Sequence, residues 1–292
     1  MASPPFEIEV QNLTYAHNGT SSASLKDVSL HLPKGSRTIL VGANGGTPMA
    51  GKSTLLQILA GKRLITAPGA QVHIQGIDVF RGSPRGVTHL GTEWAMNPVV
   101  RGDIVVQTFL DSVGGYRHKE RRDRLLDILD VDLDWHMHAV SDGERRRVQL
   151  CMGLMQPWEV LLLDEVTVDL DVQVRDDLLR FLKEDSEARG ATIIYATHIF
   201  DGLNAFPTHI AHMRLGSFVT APTAWPPVTE PLLQNAVRPS SESLYHVALQ
   251  WLREDREHRR ALEGQGRKSR GARVGETPSE SEKFYKQYDY SH

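Results

Sequence analysis

Residues 41–56 decide the fold, and they read Val-Gly-Ala-Asn-Gly-Gly-Thr-Pro-Met-Ala-Gly-Lys-Ser-Thr-Leu-Leu. Residues 37–41, which lead into the first glycine, are mostly β-branched or aliphatic and predict a buried strand. After the last glycine of the run, apolar residues recur at helical spacing as far as Gly61, where a glycine typically ends a helix. A glycine-rich turn between a strand and a helix directs backbone N–H groups toward phosphate. This stretch therefore predicts a phosphate-binding loop in an α/β fold.

The loop can be aligned with the phosphate-binding pattern in two ways. If the pattern begins at Gly42, residues 46–49 are an insertion; if it begins at Gly46, Pro48 has no N–H and Met49 takes the place of a glycine. Either the loop bulges or the insertion comes from a misplaced coding boundary. In both alignments Lys52 is suited to the β- and γ-phosphates and Ser53 to Mg²⁺. The candidate nucleotide-binding residues are Gly42, Asn44, Gly45, Ala50, Gly51, Lys52, Ser53 and Thr54.

Polar residues also follow two later strands of the predicted sheet. The apolar run 160–163 ends in Asp164 and Glu165, and the run 192–195 is followed at a short distance by His198. Ligands of open α/β sheets bind at the carboxyl ends of the strands. Asp164 is a candidate to hold Mg²⁺ through water, Glu165 to deprotonate the attacking water, and His198 to contact the γ-phosphate. Acids after strands often cap helices instead, but the joint order and spacing favour catalysis.

Composition is that of an ordinary globular protein. The chain has 292 residues, of which 40% are apolar and 24% charged, and its formal net charge is −3. This charge balance gives no reason to expect direct nucleic-acid binding. We find no apolar run near the roughly 20 residues that span a bilayer and no secretory leader, and one cysteine excludes an internal disulfide. We therefore expect a cytoplasmic or nuclear protein without a membrane span, with Cys151 as a buried structural thiol.

The pattern of elements predicts one large domain and an appendage. The first third is rich in strands of antiparallel character, residues 94–155 are mainly helical, and apolar strands then alternate with amphipathic helices, which indicates a parallel sheet. The last strand is expected to end near Val219, where prolines begin to interrupt the pattern. We expect a nucleotide-binding domain at 6–220, an extension at 221–263 with one helix near Trp251, and a disordered tail at 264–292.

A second glycine motif opens the helix before the acid-ended strand. Ser141, Gly143 and Glu144 lie at that predicted helix start, and a serine and a glycine there form another anion site. Together with the phosphate loop and the acid pair, this motif resembles the ATPase domain of the ATP-binding-cassette (ABC) family. The resemblance covers about residues 6–220. It implies a P-loop NTPase fold with an amino-terminal antiparallel β part and an inserted helical subdomain.

The resemblance also implies roles for individual residues. In that family two domains close head to tail over two ATP molecules with Mg²⁺, so Ser141, Gly143 and Glu144 would complete the site of a second copy or of a related ATPase. Asp171 resembles the aspartate of the loop that contacts the dimer partner. His198 resembles the switch histidine, and Tyr15 the aromatic residue that stacks on adenine.

Three features depart from the family pattern. Asp142 and Glu144 stand where glycine and glutamine are commoner, so their charge is unfavourable near a phosphate unless the side chains point away or the arginines at 145–147 offset it. Glu93 stands near the place of the lid glutamine and is our candidate replacement for it as a metal ligand. The third departure is the insertion at residues 46–49.

The amino-acid sequence of residues 90–94, 162–171 and 195–203 is similar to that of a small soluble ABC subgroup. A fungal member of that subgroup is associated with the carbon-catabolite-repressor–Not (CCR4-NOT) complex. This similarity implies an ATP-gated regulator of a protein complex in transcription or mRNA turnover. Two alternatives remain open: the ATPase subunit of a transporter with separate membrane subunits, and a scaffold that binds ATP but hydrolyses it weakly.

Other residues have two interpretations each. His136 and His138 could be a metal pair, but two histidines without a third ligand are more often structural. The arginine run 145–147 could bind nucleic acid, although a role in shaping the site or a solvated surface is favoured. The helix around Trp251 could bind a partner, but packing on the domain is slightly favoured.

Overall fold

The structure is a computed structural model that describes residues 6–17, 23–43, 50–65, 67–91, 98–227 and 243–264. The chain divides into two compact units, residues 1–253 and residues 254–292. The first unit carries the β-sheets, and the second is described only through the end of the last helix. Within the described ranges, every helix is too short or too polar to cross a membrane.

The described ranges contain ten strands and six α-helices. The strands are β1 (Ile8–Tyr15), β2 (Leu25–Leu32), β3 (Arg37–Val41), β4 (Gln71–Ile74), β5 (Ile77–Asp78), β6 (Val87–Leu90), β7 (Val160–Asp164), β8 (Thr192–Ala196), β9 (His209–Arg214) and β10 (Ser217–Ala224). The helices are α1 (Lys52–Leu59), α2 (Val106–Ser112), α3 (Lys119–Ile128), α4 (Asp142–Leu154), α5 (Val172–Arg189) and α6 (Leu244–Gly264), with short 3-10 helices at Pro98–Arg101 and Gly115–His118.

The strands form two sheets. The first is antiparallel, in the order β2-β1-β4-β5, which confirms the expected antiparallel character of the first third. The second has the order β10-β9-β3-β8-β7-β6, and all of its strands are parallel except the edge strand β10. The fold is therefore the predicted one.

The parallel sheet is covered on both faces. In β7, Leu161 and Leu163 belong to a core shared with helices α2 to α5, whereas Val160 and Leu162 belong to a core shared with α1 and the antiparallel sheet. Alternate residues of a strand point to opposite faces, so a strand buried on both sides must be apolar at every position. This explains why the continuous apolar run predicted a central strand.

Two elements differ from the sequence-based expectation at the carboxyl side of the domain. Strand β9 was not predicted. Strand β10 continues through Pro222 to Ala224, so the expectation that the last strand ends near Val219 is wrong. Strand β10 pairs only with β9, and its register shifts between Thr220 and Thr223. A proline is tolerated there because an edge strand has one side without ladder hydrogen bonds.

The first part of helix α6 packs on the domain. Leu244 and Ala248 are buried in the helical-side core, and the indole of Trp251 stacks on the His212 ring of β9 with centroids 4.9 Å apart. The backbone N–H of Leu244 donates to Asn204 Oδ1 at 2.8 Å. The interpretation that the helix around Trp251 packs on the domain is confirmed.

Candidate functional site

The described ends of the glycine-rich loop lie close together. Strand β3 ends at Val41, and a Cβ built on Gly42 would lie 3.0 Å from Ala50 Cβ and 2.5 Å from the carbonyl oxygen of Met213. Gly51 has a φ of +91° at the start of α1, a conformation that favours glycine. The loop thus leaves and re-enters the fold at one point, between a parallel strand and a helix N-terminus.

The first turn of α1 presents the predicted polar residues differently. Lys52 is buried, and its Nζ donates to the carbonyl oxygen of Gly42 at 2.5 Å, so the ammonium group lies at the mouth of the loop. Ser53 is exposed. Thr54 is 5% exposed, and its Oγ1 lies 3.4 Å from His17 Nε2.

The aromatic residue predicted to stack on adenine lies beside this helix. The Tyr15 and His17 rings meet edge to face, with centroids 5.2 Å apart. His17 Nδ1 in turn lies 3.3 Å from Arg63 Nη1, just after α1. The contact of His17 with Thr54 therefore ties the end of β1 to the phosphate-loop helix. Sequence reasoning missed His17, and its place two residues beyond Tyr15 was the only available signal.

The sheet register brings the other candidates to the same edge. Asp164 of β7 and Leu40 of β3 both pair with Ala196 of the strand between them. Neighbouring strands lie about 4.8 Å apart, so Asp164 and the beginning of the loop are separated by roughly two strand spacings. The carboxyl ends of β3, β7 and β8 therefore share one edge of the sheet, as the sequence predicted.

Glu165 is the first residue after β7 and has a left-handed φ of +52°. Its N–H donates to the Ala196 carbonyl at 2.9 Å, which extends the ladder one step past the strand. Its Oε2 lies 3.5 Å from Nδ1 of His198, whose side chain is 42% exposed. The structure thus brings the candidate base and the candidate switch histidine side by side, open to solvent.

The second glycine motif begins α4 with a capping box. Ser141 Oγ accepts from the Glu144 N–H at 3.2 Å, while Glu144 Oε2 accepts from the Ser141 N–H at 2.8 Å and from Ser141 Oγ at 2.7 Å. These hydrogen bonds lower the pKa of Glu144 below its ordinary value. The ionised carboxylate is therefore hydrogen-bonded to Ser141, the serine that the resemblance expects to contact the phosphate bound by a partner domain.

The neighbouring residues of the motif are paired within the chain. Asp142 Oδ1 accepts from Arg145 Nη1 at 2.5 Å and lies 4.0 Å from Arg101. A Cβ on Gly143 would lie 3.2 Å from the carbonyl oxygen of Asp169. The charge of Asp142 is therefore offset by arginine, whereas Glu144 faces the serine and does not point away from the helix start.

Arg146 connects α4, here called the signature helix because it begins with the second glycine motif, to the end of β7, and sequence reasoning missed this role. It is 6% exposed, and its guanidinium donates to the Gly91 carbonyl at 2.8 Å, to the Glu165 carbonyl at 3.4 Å, and to the Gln149 side chain. Burial lowers its pKa from the usual value, although the nearby carboxylates of Asp169 and Asp164 oppose the shift. The only signal in the sequence was an arginine at the apolar spacing of the helix.

An ion pair between Arg147 and Asp171 joins α4 to the start of α5. Arg147 Nη2 donates to Asp171 Oδ2 at 2.7 Å and Nη1 to Asp130 Oδ2 at 3.1 Å. Asp171 Oδ1 also accepts from the Val174 N–H at 3.0 Å and so caps α5. The arginine run thus shapes the site, as the favoured interpretation held, and does not form an open basic surface.

Three predicted site residues lie outside the described residues. They are Asn44, Gly45 and Glu93, and the insertion at 46–49 lies outside them as well. Cys151, by contrast, is fully buried in α4, and burial raises the pKa of its thiol to about 12. This confirms the prediction of a structural, unreactive cysteine.

The chain was then compared with known proteins. The model of the ABC transporter family matches residues 25–168. CCR4-associated factor 16 of Saccharomyces cerevisiae is 46% identical over 73% of this chain and 78% of that protein. ABC transporter I family member 20 of Arabidopsis thaliana is 38% identical over 94% of this chain and 84% of that protein. The chain belongs to the ABC family of ATPases.

Solved structures agree on the fold. The ATP-binding subunit of an ABC transporter superposes with a TM-score of 0.62 at 22% identity, covering 75% of this chain and 90% of that one. A dimeric bacterial ABC transporter cassette also has a TM-score of 0.62, at 19% identity, and covers 73% of this chain and 96% of that one. At these identities the likeness concerns the fold alone.

Proposed function

We propose that this protein hydrolyses Mg-ATP and that ATP-driven pairing of two ABC domains regulates a protein complex of transcription or mRNA turnover. The observation that carries the proposal is the shared sheet edge. There the Lys52 ammonium group lies beside Gly42 at the start of the loop, and Asp164 ends β7, which is separated from β3 by one strand. Glu165 lies beside His198 at the same edge. Each of these groups has a part in phosphoryl transfer to water.

The residues at this edge fit a nucleotide and its metal ion. A side chain at Gly42 would collide with the Met213 carbonyl, and its absence lets the loop pass close to the sheet. The exposed hydroxyl of Ser53 and the carboxylate of Asp164 are oxygen donors of the kind that Mg²⁺ prefers. When bound, Mg²⁺ neutralises charge on the phosphates. The Lys52 ammonium group would exchange the Gly42 carbonyl for phosphate oxygens.

In the proposed reaction, a water oxygen attacks the γ-phosphorus of ATP. The bond between the γ-phosphorus and the oxygen that bridges the β- and γ-phosphates breaks, and ADP and phosphate are released. Glu165 takes the proton of the attacking water. Its backbone is held by the hydrogen bond to Ala196 and its carboxylate lies 3.5 Å from His198, which is suited to contact the γ-phosphate. These two side chains are the proposed catalytic residues.

Pairing is proposed to be head to tail, between two copies or with a related ABC ATPase. Ser141, Gly143 and Glu144 at the start of α4 would face the γ-phosphate bound by the partner, and Tyr15 would stack on adenine. Asp171 begins α5 in the loop that would meet the partner. Support comes from the fold likeness to a cassette described as dimeric. Closed and open pairs expose different surfaces, so ATP can time a partner's binding.

The regulatory part of the proposal is supported by the relative named CCR4-associated factor 16, at 46% identity. A cytoplasmic or nuclear location belongs to the same proposal. The alternative, an ATPase subunit of a transporter, is favoured by the names of the plant relatives. Sedimentation of the native protein with membranes, in a manner resistant to salt, would support the transporter alternative.

A second candidate is a scaffold that binds ATP and hydrolyses it slowly. It is favoured by the contact of Glu144 with Ser141, because a carboxylate at that helix start opposes an incoming phosphate. Such a carboxylate would weaken closure of the pair and so slow hydrolysis, and turnover is the property that separates the two candidates.

The test compares Glu165→Gln with the surface control Glu120→Gln in Mg-ATP. A lost general base lowers kcat by about 10²- to 10⁴-fold, so we expect turnover from wild type and control but not from Glu165→Gln. Light scattering should show that Glu165→Gln accumulates as an ATP-dependent pair. If wild type is as inactive as Glu165→Gln, the scaffold replaces the enzyme. If Glu165→Gln stays monomeric with saturating Mg-ATP and binds no related ATPase, the pairing is wrong.

A further inference from the structure

A cluster of three polar side chains lies on the surface just before the signature helix. His136 Nδ1 lies 2.7 Å from Asp103 Oδ1, and His138 Nδ1 lies 3.0 Å from the same oxygen. One ligand atom from each of the three residues lies within 4.8 Å of the other two. The sequence showed two histidines without a third ligand, and the fold supplies the third from 33 residues earlier in the chain.

The backbone holds these residues in place. Val105 and His136 form an isolated antiparallel bridge, and the N–H of Met137 donates to the Ile104 carbonyl at 2.9 Å. Met137 is fully buried, so the residues on either side of it point outward together. Ligand groups held on paired backbone are preorganised, which lowers the cost of binding an ion.

The cluster is open to solvent and carries the right charge. The side chains of Asp103, His136 and His138 are 72%, 50% and 49% exposed. Both histidines contact the Asp103 carboxylate, which supplies a negatively charged oxygen donor to a cation. Ligands at roughly 2.0–2.2 Å around a tetrahedral ion lie about 3.3 Å from one another, so the two spacings to Asp103 Oδ1 need only a small adjustment.

We propose that Asp103, His136 and His138 form a binding site for a divalent transition-metal ion of the zinc class. Two imidazole nitrogens and one carboxylate oxygen are zinc ligands, whereas Mg²⁺ and Ca²⁺ take oxygen donors. Three protein ligands leave a further position for water or for a donor from another molecule. The ion would join the two ends of residues 104–135, which include helices α2 and α3, three residues before Ser141.

The test uses untagged protein without nucleotide and measures Zn²⁺ binding by competition with a chromophoric chelator. We expect one Zn²⁺ per chain at this site, and His136→Ala, His138→Ala and Asp103→Asn each to weaken its binding by about tenfold or more. His246→Ala changes an exposed histidine elsewhere and is the control. Co²⁺ should give a visible absorption band in wild type and His246→Ala that is lost in His136→Ala.

Melting curves in chelator separate loss of metal from loss of fold. Because the three side chains are exposed, the variants should melt at the wild-type temperature in chelator, and Zn²⁺ should raise the melting temperature of wild type and His246→Ala but not of the three site variants. Unchanged Zn²⁺ affinity in His136→Ala and His138→Ala would overturn the proposal. So would wild-type protein that binds no stoichiometric Zn²⁺, which would leave the cluster as an ion pair only.

Discussion

The Glu144 carboxylate accepts hydrogen bonds from both the backbone N–H and the hydroxyl of Ser141, at 2.8 and 2.7 Å. A helix N-terminus carries partial positive charge from its free N–H groups, and here an ionised side chain of the first turn is hydrogen-bonded to the residue that caps it. A phosphate presented by a partner domain would have to displace that carboxylate or bind against its charge. The helix start is therefore stabilised at the expense of anion binding.

Replacing Glu144 with glutamine should improve ATP binding. Glutamine keeps the capping hydrogen bonds and removes the negative charge, which is worth about 0.3–1 kcal/mol at a helix end. We expect the Glu144→Gln variant to need roughly two- to fivefold less ATP for half-maximal pairing. The measurement is light scattering against ATP concentration in a Glu165→Gln background. An unchanged or higher ATP requirement would show that Glu144 does not oppose the phosphate.

Arg146 should be required for both stability and turnover. Its buried guanidinium donates to the carbonyl oxygens of Gly91 and Glu165, so Arg146→Lys loses the fork that serves both. We expect a loss of about 2 kcal/mol in urea unfolding, with kcat reduced because the Glu165 carbonyl loses this donor and its backbone is then held by the bond to Ala196 alone. Arg124→Lys is the control, since Arg124 and Glu184 form an exposed pair worth about 0–1 kcal/mol. Equal effects of the two substitutions would contradict the assignment.

Asp185 in α5 should account for part of the loss of folding stability at low pH. Burial alone would raise the pKa of Asp185, but hydrogen bonds from Arg121 and Arg189 outweigh it and lower the pKa to about 2. A lowered folded-state pKa stabilises the fold above the ordinary value near 3.8 and loses that effect as pH falls toward 2.

Asp185→Asn should therefore destabilise the protein by about 2 kcal/mol at pH 7, and the difference from wild type should shrink below pH 4. Denaturant unfolding across this pH range measures it. The control is Asp176→Asn, which breaks an exposed pair with Arg180 and should change little. A difference that stays constant down to pH 2 would rule out the ion pair as its source.

His89 should make the fold less stable in mild acid. Burial, with the nearby charge of Lys62 as a second cause, lowers the pKa of His89 from 6.5 to about 4. The unfolded chain takes up this proton near pH 6.5 and the folded one only near 4, so stability falls as pH falls between these values. His89→Gln should reduce that fall by about 2 kcal/mol in urea unfolding at pH 7 against pH 4.5. Parallel pH profiles of variant and wild type would refute this.

Local patterns predicted most elements because their physical causes are local. Strand β3 begins and ends at the predicted residues, and Gly61, where a helix was expected to end, follows α1 with a positive φ. The end of strand β10 was predicted wrongly because a proline is excluded from the interior of a sheet but is tolerated in an edge strand. Strand β10 is an edge strand because it pairs with β9 on one side only. Sheet order is a long-range property that periodicity does not contain.

The sequence determined the family, the phosphate loop and the order of the acids and the histidine, because glycines, caps and apolar periodicity act over a few residues. Only the tertiary structure decided which distant groups meet: Arg146 with the Glu165 carbonyl, Arg147 with Asp171, and Asp103 with the histidine pair. These contacts join residues between 19 and 35 positions apart in the sequence. Their formation depends on how helices pack on the sheet, which no short stretch of sequence specifies.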